Sequence, residues 1–78
     1  MVVNYSKQAR KFLNKQGKEI EIKIKNAIDK LPLGDVVKLQ GYTGRYRLRV
    51  GDYRIIFIKE DNAISIHMID NRGQVYKN

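Results

Sequence analysis

Residues 45–54 read Arg-Tyr-Arg-Leu-Arg-Val-Gly-Asp-Tyr-Arg, and few conformations suit that order. Cations alternate with Tyr46, Leu48 and Val50, the period of a β-strand whose successive side chains leave opposite faces. Gly51-Asp52 between two such runs signals a two-residue hairpin turn of type II′ or I′. That turn pairs Val50 with Tyr53, Arg49 with Arg54, Leu48 with Ile55 and Arg47 with Ile56. Arg45, Arg47 and Arg49 then share one face, roughly 6–7 Å apart in succession, and Arg54 joins them opposite Arg49. Leu48, Val50, Tyr53, Ile55 and Phe57 form the other face, which must pack on a core. Like charges directly opposed destabilise a sheet, so the Arg49–Arg54 pair predicts an anion between them.

The remainder of the chain supplies the cover for that apolar face. Val2 to Tyr5 reads as a short strand, and Ser6 as the N-cap of a helix from Lys7 to about Lys15 with Ala9, Phe12 and Leu13 inward. Gly17 interrupts. A second helix, about Lys18 to Leu31, carries an apolar stripe of Ile20, Ile24, Ala27, Ile28 and Leu31 that leaves Ile22 outside. Pro32 and Gly34 end it. Asp35 to Gly44 is expected to be mostly loop, with Val36, Val37 and Leu39 against the core. A turn at Asp61-Asn62 returns the chain through Ala63 to Asp70; a two-residue loop there directs Ile64, Ile66 and Met68 inward and places Ser65, His67 and Ile69 on the arginine face. One residue of slip would reverse those sides. The order β-α-α-β-β-β predicts an α+β fold of two layers: an antiparallel sheet, two helices on one face, and an open basic face.

The 78 residues, read as one domain from 1 to 78, carry a formal charge of +8 and no cysteine. Disulfides and thiolate metal sites are therefore excluded, and the charge favours anionic partners. Eight lysines and Arg10 lie in residues 1–40, whereas residues 41–78 hold Arg45, Arg47, Arg49, Arg54 and Arg72 with only Lys59 and Lys77. Arginine is a planar fork that grips phosphate in fixed geometry, and lysine a mobile, hydrated point charge. The arginines mark a site and the lysines mark solvation and steering. No apolar run approaches the roughly 18–20 residues that span a bilayer, and the first residues lack a signal-peptide layout. A cytoplasmic protein without a membrane partner is expected.

The chemistry available is narrow. A single histidine and no Asp/Glu/His grouping at ligand spacing predict no metal site and no cofactor. No glycine-rich phosphate loop precedes a helix, and no serine has a base and an orienter. What remains is Arg47, Arg49, Arg54, Arg72 and Tyr76, with His67 for proton transfer. Arginines neutralise charge that develops on phosphorus, and RNA brings its own nucleophile in the 2′-hydroxyl. Arg45, Lys59 and Tyr42 are candidates for RNA binding, Tyr42 by stacking on a base.

The stretch Leu39-Gln40-Gly41-Tyr42-Thr43-Gly44-Arg45-Tyr46-Arg47-Leu48-Arg49-Val50-Gly51-Asp52-Tyr53-Arg54-Ile55-Ile56-Phe57 resembles the central signature of the RelE/ParE toxins of type II toxin–antitoxin modules. The closing Arg72-Gly73-Gln74-Val75-Tyr76-Lys77 is similar to that family's ending. The resemblance covers essentially the whole chain and implies a ribosome-dependent mRNA endoribonuclease (an mRNA interferase) that inhibits translation. Its partners would be an acidic antitoxin, mRNA in the ribosomal A site and ribosomal RNA, with operator DNA reached only through the antitoxin complex. By position, Arg47 and Arg49 match basic residues of the family's second strand, Arg54 its phosphate-binding arginine and Arg72 the arginine after the fourth strand. Tyr76 matches the tyrosine that activates or orients the 2′-hydroxyl. Products with a 2′,3′-cyclic phosphate and a 5′-hydroxyl are implied.

The sequence departs from the family in places. Arg47 and Arg49 stand where the RelE enzyme has lysines, and a guanidinium, which stays protonated, cannot be a general base. Proton removal is left to Tyr76 or His67. Other members use a catalytic glutamate, or a histidine near the closing arginine; here Asn71 sits just before Arg72 and residues 32–44 hold no glutamate. With two residues after Tyr76, the C-terminal helix of some relatives is not expected. Two other readings stay open: a ParE-like inhibitor of DNA gyrase that acts by binding, and a non-catalytic basic domain that binds RNA or an antitoxin.

Overall fold

The computed structural model describes residues 2–71. The elements run β1 (Val2–Tyr5), α1 (Lys7–Asn14), α2 (Lys18–Asp29), β2 (Asp35–Lys38), β3 (Arg45–Val50), β4 (Tyr53–Glu60) and β5 (Ala63–Asn71). The strands form one five-stranded sheet in the order β1-β5-β4-β3-β2. The expected α+β architecture is present. Two details of the strand topology differ from expectation. β1 pairs with β5 in parallel, so the sheet is mixed, and residues 35–38 form an edge strand where a loop was predicted.

Local chemistry sets the helices. Ser6 caps α1 by accepting the Ala9 N–H at 3.1 Å, satisfying one of the orphan donors of the first turn. Gly17 caps α2 through its backbone alone. Ala9 and Leu13 of α1 pack with Ile24 and Ile28 of α2, Leu31, and the inward residues Leu48, Ile55, Phe57, Ile64, Ile66 and Ile69 of the sheet. Ile22 is 48% exposed, outside the buried stripe as its spacing required. Tyr46 stacks on Phe57 with centroids 5.5 Å apart, and Tyr53 meets Phe12 edge-on at 6.0 Å. Both tyrosines thus serve the core side.

The β3–β4 hairpin has the register predicted from its turn, including Arg49 opposite Arg54. Gly51 lies at φ +58°, and no non-glycine residue among those described has positive φ. Positive φ at the first central residue only is a type II′ turn.

β5 departs from simple alternation. Phe57 pairs with Ile66 but Ile56 pairs with Met68, so His67 is an extra residue, a β-bulge. Beyond it the faces exchange. Ile69, expected on the arginine face, is 0% exposed in the core, while Met68, expected in the core, lies opposite Ile56 on the other face. The physical reason lies in Asp70: unbroken alternation from Ile64 through Ile66 and Met68 would bury its carboxylate without a partner, which is costly. The bulge is held from outside. β1 ends at Tyr5, and past it Ser6 Oγ donates to the His67 carbonyl at 2.7 Å. The Gln8 amide then clamps Ile69, donating to its carbonyl at 2.9 Å and accepting its N–H at 3.0 Å. A side chain thereby stands in for the missing strand.

Candidate phosphate-binding face

On the face opposite the helices, the registers of β2 to β5 line up four charged residues near the hairpin end: Asp35, Arg49, Arg54 and Asp70. The next row reads Val37, Arg47, Ile56 and Met68. Arg54 Nη2 contacts Asp70 Oδ2 at 2.7 Å, with both side chains about one-third exposed (30% and 29%). Arg47 Nη2 reaches diagonally to Asp35 Oδ1 at 3.3 Å. The Arg49 side chain is exposed and makes no ion pair or hydrogen bond among the described residues. The repulsion expected between Arg49 and Arg54 is therefore offset at both ends of the row by carboxylates, and charge balance alone does not demand a bound anion there. Each ion pair is a single contact. Arg47 Nε, Arg54 Nε and Asp70 Oδ1 are buried without a hydrogen-bond partner among the described residues.

The structure brings Arg47, Arg49 and Arg54 together and sets the other candidates apart. Arg45 shares their face at the far end of β3, where its guanidinium lies 4.6 Å from the centroid of the Tyr42 ring. Tyr42 is 56% exposed, in the loop after β2, which leaves ring surface open to stacking. Lys59 is separated from the arginines: it pairs with Ile64 and alternates with Phe57 and Ile55 onto the helix side, at the outer end of β4. His67 is exposed at the bulge, where its backbone carbonyl, not its imidazole, accepts the Ser6 Oγ hydrogen bond. Arg72 and Tyr76 lie outside the described residues. Among the described residues no group of His, Cys, Asp and Glu could hold a metal ion.

Sequence reasoning missed Asp35 and Asp70 as members of this face. Asp70 left a signal, a charge at core parity; Asp35 left none, since its strand is four residues long with exposed flanks. The resulting surface is a set of three guanidinium groups on one hairpin, two of them restrained by carboxylates and the third without an ion pair among the described residues. It can bind and neutralise a phosphodiester.

In shape the chain matches archaeal proteins closely. It aligns with a chain of the RelE–RelB complex from Pyrococcus horikoshii OT3 at TM-score 0.73 and 30% identity, covering 94% of this chain and 96% of that one. The chain belongs to the RelE-type toxin superfamily. A chain of the RelB–RelE antitoxin–toxin complex from Methanococcus jannaschii is similar at TM-score 0.73 and 28% identity, with 94% of each chain covered. The YoeB dimer from Staphylococcus aureus aligns at TM-score 0.66 and 26% identity, over 87% of this chain and 92% of that one. A scan against protein-family models and a search of curated proteins gave no match. In this RelE-type chain, no helix among the described residues is long and apolar enough to cross a membrane.

Proposed function

We propose that the chain is the toxin of a type II toxin–antitoxin module and cuts mRNA in the ribosomal A site, stopping translation in the cytoplasm. The observation that carries this reading is the clustering of Arg47, Arg49 and Arg54 on one open sheet face of a RelE-type fold. The 2′-oxygen attacks the adjacent phosphorus, the bond from phosphorus to the 5′-oxygen breaks, and a 2′,3′-cyclic phosphate and a 5′-hydroxyl result. The arginines neutralise charge on the non-bridging oxygens as the pentacoordinate state forms. Arg72 joins them and Tyr76 handles the 2′-proton, roles that rest on the family resemblance; His67 is the alternative proton acceptor. Arg45 and Tyr42 guide the RNA at the other end of the strand. The ribosome supplies substrate alignment, which suits a chain whose own face offers abundant charge and few proton acceptors. An acidic antitoxin is the natural inhibitor of such a surface; several of the similar solved structures are complexes of toxin with antitoxin.

The test is to add the protein to translating ribosomes and map new mRNA 5′ ends. Codon-phased cleavage is expected from the wild type, falling by about 100-fold or more in Arg54→Ala, the scale of losing one transition-state charge donor. Intact mRNA together with inhibited DNA supercoiling would overturn the reading in favour of gyrase binding.

A further inference from the structure

The bulge in β5 has a consequence for the arginine face. By inserting His67 it turns Asp70 out of the core parity and sets it beside Arg54, and Ser6 and Gln8 secure the bulge from the sheet edge. We propose that Asp70 is an internal competitor for the phosphodiester at Arg54, a carboxylate that occupies the guanidinium until RNA displaces it. This rests on the phosphate-binding reading above and adds a residue to it.

Three observations carry the inference. The contact is short, 2.7 Å, yet it uses one nitrogen and one oxygen. The remaining capacity of both partners is unspent, since Arg54 Nε and Asp70 Oδ1 have no partner among the described residues. A phosphodiester offers two oxygens to the guanidinium fork and satisfies more of its donors than this carboxylate does. Finally, Arg49, directly across from Arg54, is exposed and unpaired among the described residues, so an incoming phosphate has an unoccupied cation at which to land before the exchange. The competition lowers affinity for stray RNA and leaves tight engagement to substrates held in place by another body.

The experiment measures binding of a single-stranded 2′-O-methyl RNA oligonucleotide, which lacks the nucleophile, to wild type, Asp70→Asn, Arg54→Ala and the double variant, without ribosomes. Asp70→Asn is expected to bind roughly three- to tenfold more tightly, as removal of one adjacent negative charge implies. Its log–log salt slope should steepen by up to about 0.7, one further phosphate neutralised on a single strand. In the Arg54→Ala background the gain should shrink below about twofold, as for two groups that act on each other. If Asp70→Asn binds no better than wild type, or its gain persists in full without Arg54, the inference is overturned while mRNA cleavage on ribosomes remains untouched. Failure of every variant to bind also overturns it. Should Asp70→Asn unfold, Asp70→Ser tests the same charge removal, with circular dichroism as the folding control.

Discussion

Arg54 sits between a like charge and an opposite one, Arg49 on β3 and Asp70 on β5. That placement decides how its substitutions should read. Arg54→Lys keeps the charge and loses the fork, so it should restore little of the cleavage lost in Arg54→Ala if geometry matters, and most of it if charge alone matters. Geometry is expected to prevail, with Arg54→Lys at least about tenfold below wild type in single-turnover cleavage on ribosomes. Tyr5, on the helix side, makes a separate prediction. Burial raises the pKa of its hydroxyl above the ordinary tyrosine value, Asp29 adds to the rise and Lys25 opposes it. A raised folded pKa means the protonated form is favoured in the fold. The associated stability is fully present below about pH 10 and is lost as pH rises through the folded value. Urea midpoints should therefore shift in favour of Tyr5→Phe, relative to wild type, between pH 8 and 10.5; a constant difference between the two would contradict this.

At the scale of elements, the hairpin and the bulge divide the labour. The II′ turn needs a residue with positive φ, and Gly51→Ala should lower stability by about 1–2 kcal/mol in chemical denaturation, with little change in the core. The bulge depends on the Gln8 clamp. Gln8→Ala removes two part-buried hydrogen bonds to Ile69 and should cost about 1–3 kcal/mol, with amide exchange rising first around Ile69 rather than across the hairpin. These elements were unequally legible in the sequence. The hairpin was readable because turn chemistry, charge alternation and apolar alternation all agree over ten residues. Both helices were readable from caps and stripes, to within the fraying of their last turns. β2 was obscure because Asp35-Val36-Val37-Lys38 shows exposure on three of its four residues, and its place depends on pairing with β3. The parallel pairing of β1 with β5 joins residues about sixty positions apart, which no local pattern records. The bulge was masked by Met68, whose apolar side chain satisfied the alternation that Asp70 then broke.

As a whole, the molecule separates its charge by kind. The lysines lie mainly on the helical layer and its connections, and the arginines of β3 and β4 lie on the opposite face of the sheet. The net charge of +8 favours polyanions in general, whereas the clustering of Arg47, Arg49 and Arg54 on one face is the place proposed for a phosphate. Asp35 and Asp70 pair with two of those arginines, and on the proposal above the Asp70 pair separates general attraction from productive binding. The family membership follows from the fold as a whole, and the chemistry proposed for it from three side chains on one hairpin and two more, Arg72 and Tyr76, at the end of the sequence. The measurement that bears most directly on that chemistry is end analysis of mRNA from purified ribosome complexes with a defined A-site codon. Wild type should yield a single cut within that codon, bearing a 2′,3′-cyclic phosphate upstream and a 5′-hydroxyl downstream, and Arg54→Ala should leave the mRNA nearly intact. Uncut mRNA with folded wild-type protein bound to the ribosome, or cleavage undiminished in Arg54→Ala, would contradict the account.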